Sequence, residues 1–212
     1  MTKYISNIVR IFKTEVGDPQ QLLIDEFNGM PTDAPGILTF TLSAPNPGGP
    51  VSFTSRVFDD PSGLDKYMAA VQNSSDERKK QVADINAKCV SVRFRIVRVI
   101  KEGKYVGANP PTIMVRNFIR AKRGYLDEVT SMLTSTIENA PGDRTSPTLT
   151  SSTTGQQGML TLSHPTENLA AAEETFERFQ SAQAEPARKR MSDITEGSVR
   201  VPFFILGNTI EI

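Results

Sequence analysis

The sequence predicts an α+β protein built from two tandem βαββαβ units, residues 1–106 and 107–212, each an antiparallel sheet with helices on one side. Three observations predict it. Asp84-Ile85-Asn86-Ala87-Lys88-Cys89-Val90-Ser91-Val92-Arg93-Phe94-Arg95-Ile96 aligns without a gap over Asp193-Ile194-Thr195-Glu196-Gly197-Ser198-Val199-Arg200-Val201-Pro202-Phe203-Phe204-Ile205, with six of 13 positions identical, which reads as an internal repeat. The openings of the halves match as well, Val9-Arg10-Ile11-Phe12 over Val115-Arg116-Asn117-Phe118, for a period of about 106 residues that suits a duplicated small domain. Read separately, the two halves give the same element order, that of the ferredoxin-like split βαβ unit.

In the first half, Ser6 to Lys13 is short and β-branched and reads as a strand. Asp18-Pro19 then offers a helix N-cap followed by a proline suited to the first turn. Leu22, Leu23, Glu26 and Phe27 continue at helical spacing until Gly29 and Pro31 stop it. Gly36 to Ser43 and Val51 to Phe58 read as strands joined through Pro45-Asn46-Pro47-Gly48-Gly49-Pro50. Asp60-Pro61-Ser62 opens a second helical region, broken near Asn73-Ser74-Ser75 and running to about Asn86. Cys89 to Ile100 is the last strand. The turn-rich stretch from Gly103 to Pro111 joins the halves.

The second half repeats this pattern. Thr112 to Ile119 reads as a strand and Gly124 to Glu138 as a helix. Thr148 to Thr153 and Gly158 to Ser163 form a hairpin across Thr154-Gly155-Gln156-Gln157. Thr166 to Thr195 is helical with an interruption at Pro186, and Ser198 to Leu206 closes the unit as a strand.

Strand side chains alternate between faces. Val90, Val92, Phe94 and Ile96 share one face of the last strand of the first half, expected under the helices. Ser91, Arg93 and Arg95 share the other. Thr39, Thr41 and Ser43 alternate with Leu38, Phe40 and Leu42; Ser52, Thr54 and Arg56 alternate with Phe53 and Val57; Thr148, Thr150 and Ser152 follow suit. Each sheet is therefore expected to have an apolar face for its helices and an open face rich in Thr, Ser and Arg. Two such open faces can cover one another, and polar groups enclosed there need partners or a ligand.

Composition narrows the function classes. Lys plus Arg equals Asp plus Glu at 24 each, which gives no electrostatic ground for a nucleic-acid or membrane partner. One cysteine, Cys89, excludes an internal disulfide and a Cys-rich metal site. No signal peptide or spanning segment is read, so the cytoplasm is the expected location. No phosphate-binding loop, dinucleotide fingerprint, zinc spacing or nucleophile elbow occurs, and no cofactor is expected.

Duplicated βαββαβ units ending in a Val-x-Val-x-Phe-x-Ile strand resemble the dimeric α/β-barrel superfamily, which includes antibiotic-biosynthesis monooxygenase-like and NIPSNAP-like proteins. The resemblance covers nearly the whole chain. It implies sheets packed face to face as a barrel with helices outside, one chain supplying both units. It also implies activities such as cofactor-independent oxygenation of aromatic polyketides, haem breakdown, muconolactone isomerisation or chlorite chemistry. The haem-degrading members use a Trp-Asn-His set, and this chain has no Trp.

Candidate site residues follow from side-chain chemistry. His164, the single histidine, is a candidate catalytic base or haem ligand; the alternative is a strand-end surface histidine before a turn proline. Arg10, Arg93 and Arg95 stand on strands that are neighbours in such a sheet, and Arg56 and Arg116 are candidates to join them. Clustered, they would bind carboxylate or phosphate; otherwise they pair with acids or are solvated. Tyr67 over Phe176 reads as matched helical core aromatics, Cys89 as a small hydrophobe, and Asp84 with Asp193 as turn-forming residues. Glu185-Pro186-Ala187-Arg188-Lys189-Arg190 reads as a solvated basic helix face. Function is expected to be binding or conversion of a small organic molecule, oxygenase-like or isomerase-like if catalytic. The alternative is a non-catalytic interaction or scaffold protein. Expected partners are a small-molecule ligand and a second copy of the chain.

Overall fold

The computed structural model describes residues 2–41, 49–155, 157–181 and 184–210. It is α+β, with the elements β1 Tyr4–Phe12, α1 Gln20–Asn28, β2 Gly36–Thr41, β3 Val51–Phe58, α2 Pro61–Gln72, α3 Asp76–Asn86 and β4 Cys89–Lys101, followed by β5 Ile113–Ala121, α4 Leu126–Glu138, β6 Thr148–Ser152, β7 Met159–Thr166, α5 Leu169–Gln180, α6 Glu185–Ile194 and β8 Thr195–Asn208. The order of element types in the first seven recurs in the second seven. Leu42, Ser43, the loop from Pro45 to Gly48 and Gln156 lie outside the described residues. No helix among the described residues is long and apolar enough to cross a membrane.

The chain folds as two compact units. Unit 1 runs to Arg98 and includes the chain again from Phe204; unit 2 is Val99–Phe203. β4 and β8 each pass from one unit into the other. Strand order in unit 1 is β4-β1-β3-β2-β8, and in unit 2 β8-β5-β7-β6-β4. Among the described residues β1 pairs antiparallel with β3 and β4, β2 with β3 and β8, and β7 with β5 and β6.

Local chemistry explains the helix limits. The Asp60 side chain accepts from Gly63 N at 2.9 Å, with Pro61 following in the first turn. Asn73 closes α2 and Ser75 caps α3 through Arg78 N, so the polar triplet divides the helical region. The first helix starts one residue later than the Asp18-Pro19 reading places it. Pro19 occupies the cap position, and Asp18 Oδ1 accepts from Gln20 N. β7 runs past its expected end at Ser163 through Pro165 to Thr166. Its pairing with β6 stops at Ser163, so Pro165 lies where the missing N–H breaks no ladder on that side.

In unit 1, Phe12, Leu23, Phe27, Leu38, Phe40 and Ile85 form one cluster between sheet and helices, and Phe58, Leu64 and Tyr67 another. In unit 2 the larger cluster gathers Ile119, Val129, Leu133, Ile137, Leu149, Leu160 and Ile194, with Ile113, Val115 and Ala172 beside α5.

The register corrects three expectations. First, Ser52, Thr54 and Arg56 stand opposite Phe40, Leu38 and Gly36, hence on the helix side of the sheet, while Phe53 stands opposite Thr39 on the other. Alternation in β3 separated two faces without saying which one the helices cover. Second, the row expected under the helices is largely uncovered: Val90, Val92 and Phe94 are 59%, 41% and 42% exposed, and Ile96 alone of the four packs on the Phe58–Leu64–Tyr67 cluster. Third, Tyr67 is the seventh residue after its cap Asp60 and is buried, whereas Phe176 is the eighth after Asn168 and lies at the surface. One residue of helix rotates a side chain by about 100°, so the two aromatics occupy different faces.

Candidate functional site

The helix side of the unit 1 sheet holds a charged network in an otherwise apolar layer. Glu26 falls in the apolar stripe of α1 and is 1% exposed; Arg10 on β1 is fully buried. Their side chains meet as a fork, Nη1 to Oε2 at 2.7 Å and Nη2 to Oε1 at 2.5 Å, and Arg10 Nε donates to Asn86 Oδ1 at 2.9 Å. Ser52 stands opposite Arg10 on β3 and is small enough to leave room for it. Arg78 on α3 donates to the Glu26 carbonyl at 2.7 Å, tying α3 to α1. The buried charges of Arg10 and Glu26 compensate one another, as burial demands.

Arg56 extends the network toward the helix ends. Its guanidinium lies 4.0 Å from the Phe27 ring centroid and donates to the carbonyls of Phe27 and Ala34 at 2.5 and 3.1 Å. Gly36, its partner on β2, permits this path: a Cβ there would stand 2.6 Å from Arg56 Cδ. Burial lowers the Arg56 pKa from its ordinary value.

Above this network lies a groove of about 350 Å³ lined by Pro31, Thr32, Ala34, Phe58, Gly63, Lys66, Tyr67 and Ala70. Its floor is aromatic, with the Phe58 and Tyr67 rings 5.4 Å apart between centroids. Burial pushes the Tyr67 pKa up, against the opposing pull of Arg56, so the phenol stays protonated at neutral pH. No hydrogen bond to the Tyr67 hydroxyl occurs among the described residues, which leaves it able to donate to a ligand. Lys66 supplies an ammonium near the rim. The groove can take a molecule with a flat apolar body and an oxygen acceptor.

The remaining candidates lie elsewhere. Arg93 stands opposite Val9 and Arg95 opposite Asn7, while Arg10 stands opposite Val92. The three arginines therefore do not converge: Arg10 and Arg56 face the helices and Arg93 with Arg95 the reverse face. The one-residue offset between neighbouring strands decides this. Arg116, in unit 2, is buried with its guanidinium 5.3 Å from the Phe203 ring centroid, and burial lowers its pKa to about 9.

His164 is not at a strand end. It lies inside β7 opposite Val115, 8% exposed, on the side of the Ile113–Val115–Ala172 cluster. Burial, then Arg178 and Arg200, lowers its pKa to about 4. The ring is neutral at physiological pH and a weak base, and no hydrogen bond orients it among the described residues. Cys89 is half-buried with its thiol pKa raised by burial, the opposite of an activated nucleophile. Among the described residues no group of three or more His, Cys, Asp or Glu is placed to hold a metal ion.

Sequence reasoning missed Glu26, Asn86, Arg78, Phe58 and Lys66, and took Tyr67 for core alone. One of these carried a signal. A glutamate inside an apolar helical stripe must find a buried cation, and Arg10 is the buried cation it finds.

No protein-family model matches the chain, and no curated protein matches it. Solved structures do. A candidate monooxygenase from Fusobacterium nucleatum is 11% identical, with 99% of this chain and 95% of that one covered and a TM-score of 0.70. A candidate monooxygenase from Lactobacillus acidophilus is 8% identical, covering 97% and 95%, with a TM-score of 0.62. An anthrone oxidase-like protein is 15% identical, covering 99% and 95%, with a TM-score of 0.61. At these identities the likeness is one of fold: this chain has the fold of the two candidate monooxygenases and the anthrone oxidase-like protein along nearly its whole length.

Proposed function

We propose that the protein binds a small aromatic molecule in the groove of unit 1 and is a monooxygenase-like enzyme acting on it. The observation that carries the reading is the pairing of an aromatic floor, Phe58 and Tyr67, with a protonated Tyr67 hydroxyl that has no acceptor among the described residues. The fold shared with the candidate monooxygenases and the anthrone oxidase-like protein supports it and suggests anthrone as the first probe. Anthrone can lose a methylene proton to water, its anion is taken by O2 to a hydroperoxide, and loss of water from that gives anthraquinone, so O2 is the oxidant and the protein is asked for positioning and hydrogen bonding. The duplication of one βαββαβ unit, with halves at 1–106 and 107–212 as in tandem members of the dimeric α/β-barrel superfamily, belongs to the same proposal. It is supported by the repeated element order and by helix caps Asp60 and Asn168, each two residues beyond its preceding strand.

The test is anthrone binding by calorimetry together with O2 uptake, on the parent protein and on Ala70→Phe, which fills the groove. Ala69→Phe, one residue away and exposed, is the control. Binding and uptake lost in Ala70→Phe and kept in Ala69→Phe support the reading. Equal behaviour of both variants, or an absence of anthrone binding by the parent, refutes it.

A second reading rests on a different observation. Val90, Val92 and Phe94 form an exposed apolar row along β4, larger than isolated surface hydrophobes explain. A non-catalytic interaction protein, pairing with a second copy of itself through that row, would use it. Sedimentation of the parent and of Val92→Lys distinguishes the two: a dimer that the variant dissociates favours the second reading, and a monomer in both removes it.

A further inference from the structure

The face of the unit 1 sheet turned away from its helices carries cations and no acid. Along the described residues of β1 to β4 within this unit, that face presents Ile5, Asn7, Val9 and Ile11, then Ile37, Thr39 and Thr41, then Val51, Phe53, Ser55 and Val57, then Ser91, Arg93, Arg95 and Val97. There is no carboxylate among them. Arg95 is half-buried and Arg93, two residues along the same strand, is exposed. Neither has a hydrogen bond or an ion pair to an acid among the described residues. A half-buried guanidinium gives up part of its hydration, and without a counter-ion nothing offsets that cost.

The neighbour of Arg95 is arranged in the same sense. Asn7 stands directly opposite it, on the same face and within a side-chain length. Ser55, opposite Asn7 on the far side, donates its hydroxyl to Asn7 Oδ1 at 2.6 Å. That bond engages the amide oxygen and leaves the two N–H donors, which make no hydrogen bond among the described residues. Arg95, Arg93 and the Asn7 amide thus place a group of donors on one face with no carboxylate beside them. Val9 and Val97, 8% and 9% exposed, are its buried apolar neighbours.

We propose that this patch is an oxyanion site that takes the carboxylate of a small organic acid, the Arg95 fork and the Asn7 amide gripping the head group. The planar fork matches a carboxylate in two parallel hydrogen bonds. Phosphate shares the oxyanion chemistry and is the competing occupant. Burial, together with the coulombic effect of Arg93, lowers the Arg95 pKa, which is the condition a bound anion would relieve. The site lies on the sheet face opposite the groove of Phe58 and Tyr67 and does not depend on it.

The test is calorimetric titration with benzoate, its neutral counterpart benzamide and inorganic phosphate. The parent, Arg95→Gln, Arg95→Lys and Ala70→Phe are compared at low and moderate salt. With the groove filled by Ala70→Phe, the expected result is saturable benzoate binding, weaker phosphate binding and no benzamide binding. Arg95→Gln should weaken benzoate at least about tenfold, and Arg95→Lys, which keeps the charge and loses the fork, should weaken it by less. Ala70→Phe should keep the benzoate binding that depends on Arg95, which separates this site from the groove. Three results would overturn the proposal: benzoate fails to bind Ala70→Phe, benzamide binds that variant as well as benzoate does, or both Arg95 replacements made in Ala70→Phe keep its affinity in a folded state verified by circular dichroism. Phosphate binding tighter than benzoate would overturn the carboxylate assignment.

Discussion

Replacing Glu26 by Gln tests the charged network under the groove. The parent holds Arg10 fully buried, with two hydrogen bonds to Glu26 and one to Asn86. The amide keeps the size of the side chain and one acceptor oxygen but removes the negative charge, leaving a buried guanidinium with half its fork and no counter-ion. Breaking a buried pair by removing one partner costs about 3–5 kcal/mol. With a urea dependence of roughly 2–3 kcal/mol per molar, the unfolding midpoint should fall by about 1–2 M. The paired replacement Arg10→Met with Glu26→Leu removes both charges and fills the same space, so it should return to within about 1 kcal/mol of the parent. The assay is urea unfolding at neutral pH followed by circular dichroism. A Glu26→Gln cost below about 1 kcal/mol would refute the reasoning, as would a double replacement no more stable than the single one.

Two further predictions concern the buried titratable groups. The His164 pKa is about 4 in the folded chain and 6.5 as its ordinary value, so the unfolded chain binds the extra proton between those limits. The stability linked to this group is fully present above pH 6.5 and is lost as pH falls through 4, by roughly 3 kcal/mol. His164→Phe should flatten the stability profile across that window, and an unchanged slope would count against the burial of the ring. Cys89 should react with a disulfide reagent at about pH 8 more slowly than a free cysteine, because burial raises its thiol pKa; a faster rate would contradict the placement.

Much of the fold was legible in the sequence. The helix starts at Asp60-Pro61 and Ser75 and the break at Asn73 are written in side chains that satisfy backbone donors locally, so no long-range information was needed. The candidate site was less legible, for one geometric reason. Period-2 alternation sorts a strand into two faces but does not say which face a helix covers. Ser52, Thr54 and Arg56 look like a solvent-facing set, yet register with Leu38 and Phe40 puts them in the helix layer. The same uncertainty of one residue separated Arg10 from Arg93 and Arg95, and Tyr67 from Phe176. His164 was misplaced because a proline after it reads as a strand stop, whereas the short reach of β6 lets β7 continue through it. Glu26 alone could have been found in advance, from its position in the apolar stripe of α1.

A crystal structure of the protein soaked with anthrone tests the central claim most directly. The account predicts difference density in the groove of unit 1, flat against Phe58 and Tyr67, with an oxygen within hydrogen-bond distance of the Tyr67 hydroxyl. Anthrone density at another place on the molecule, with this groove empty, would contradict it.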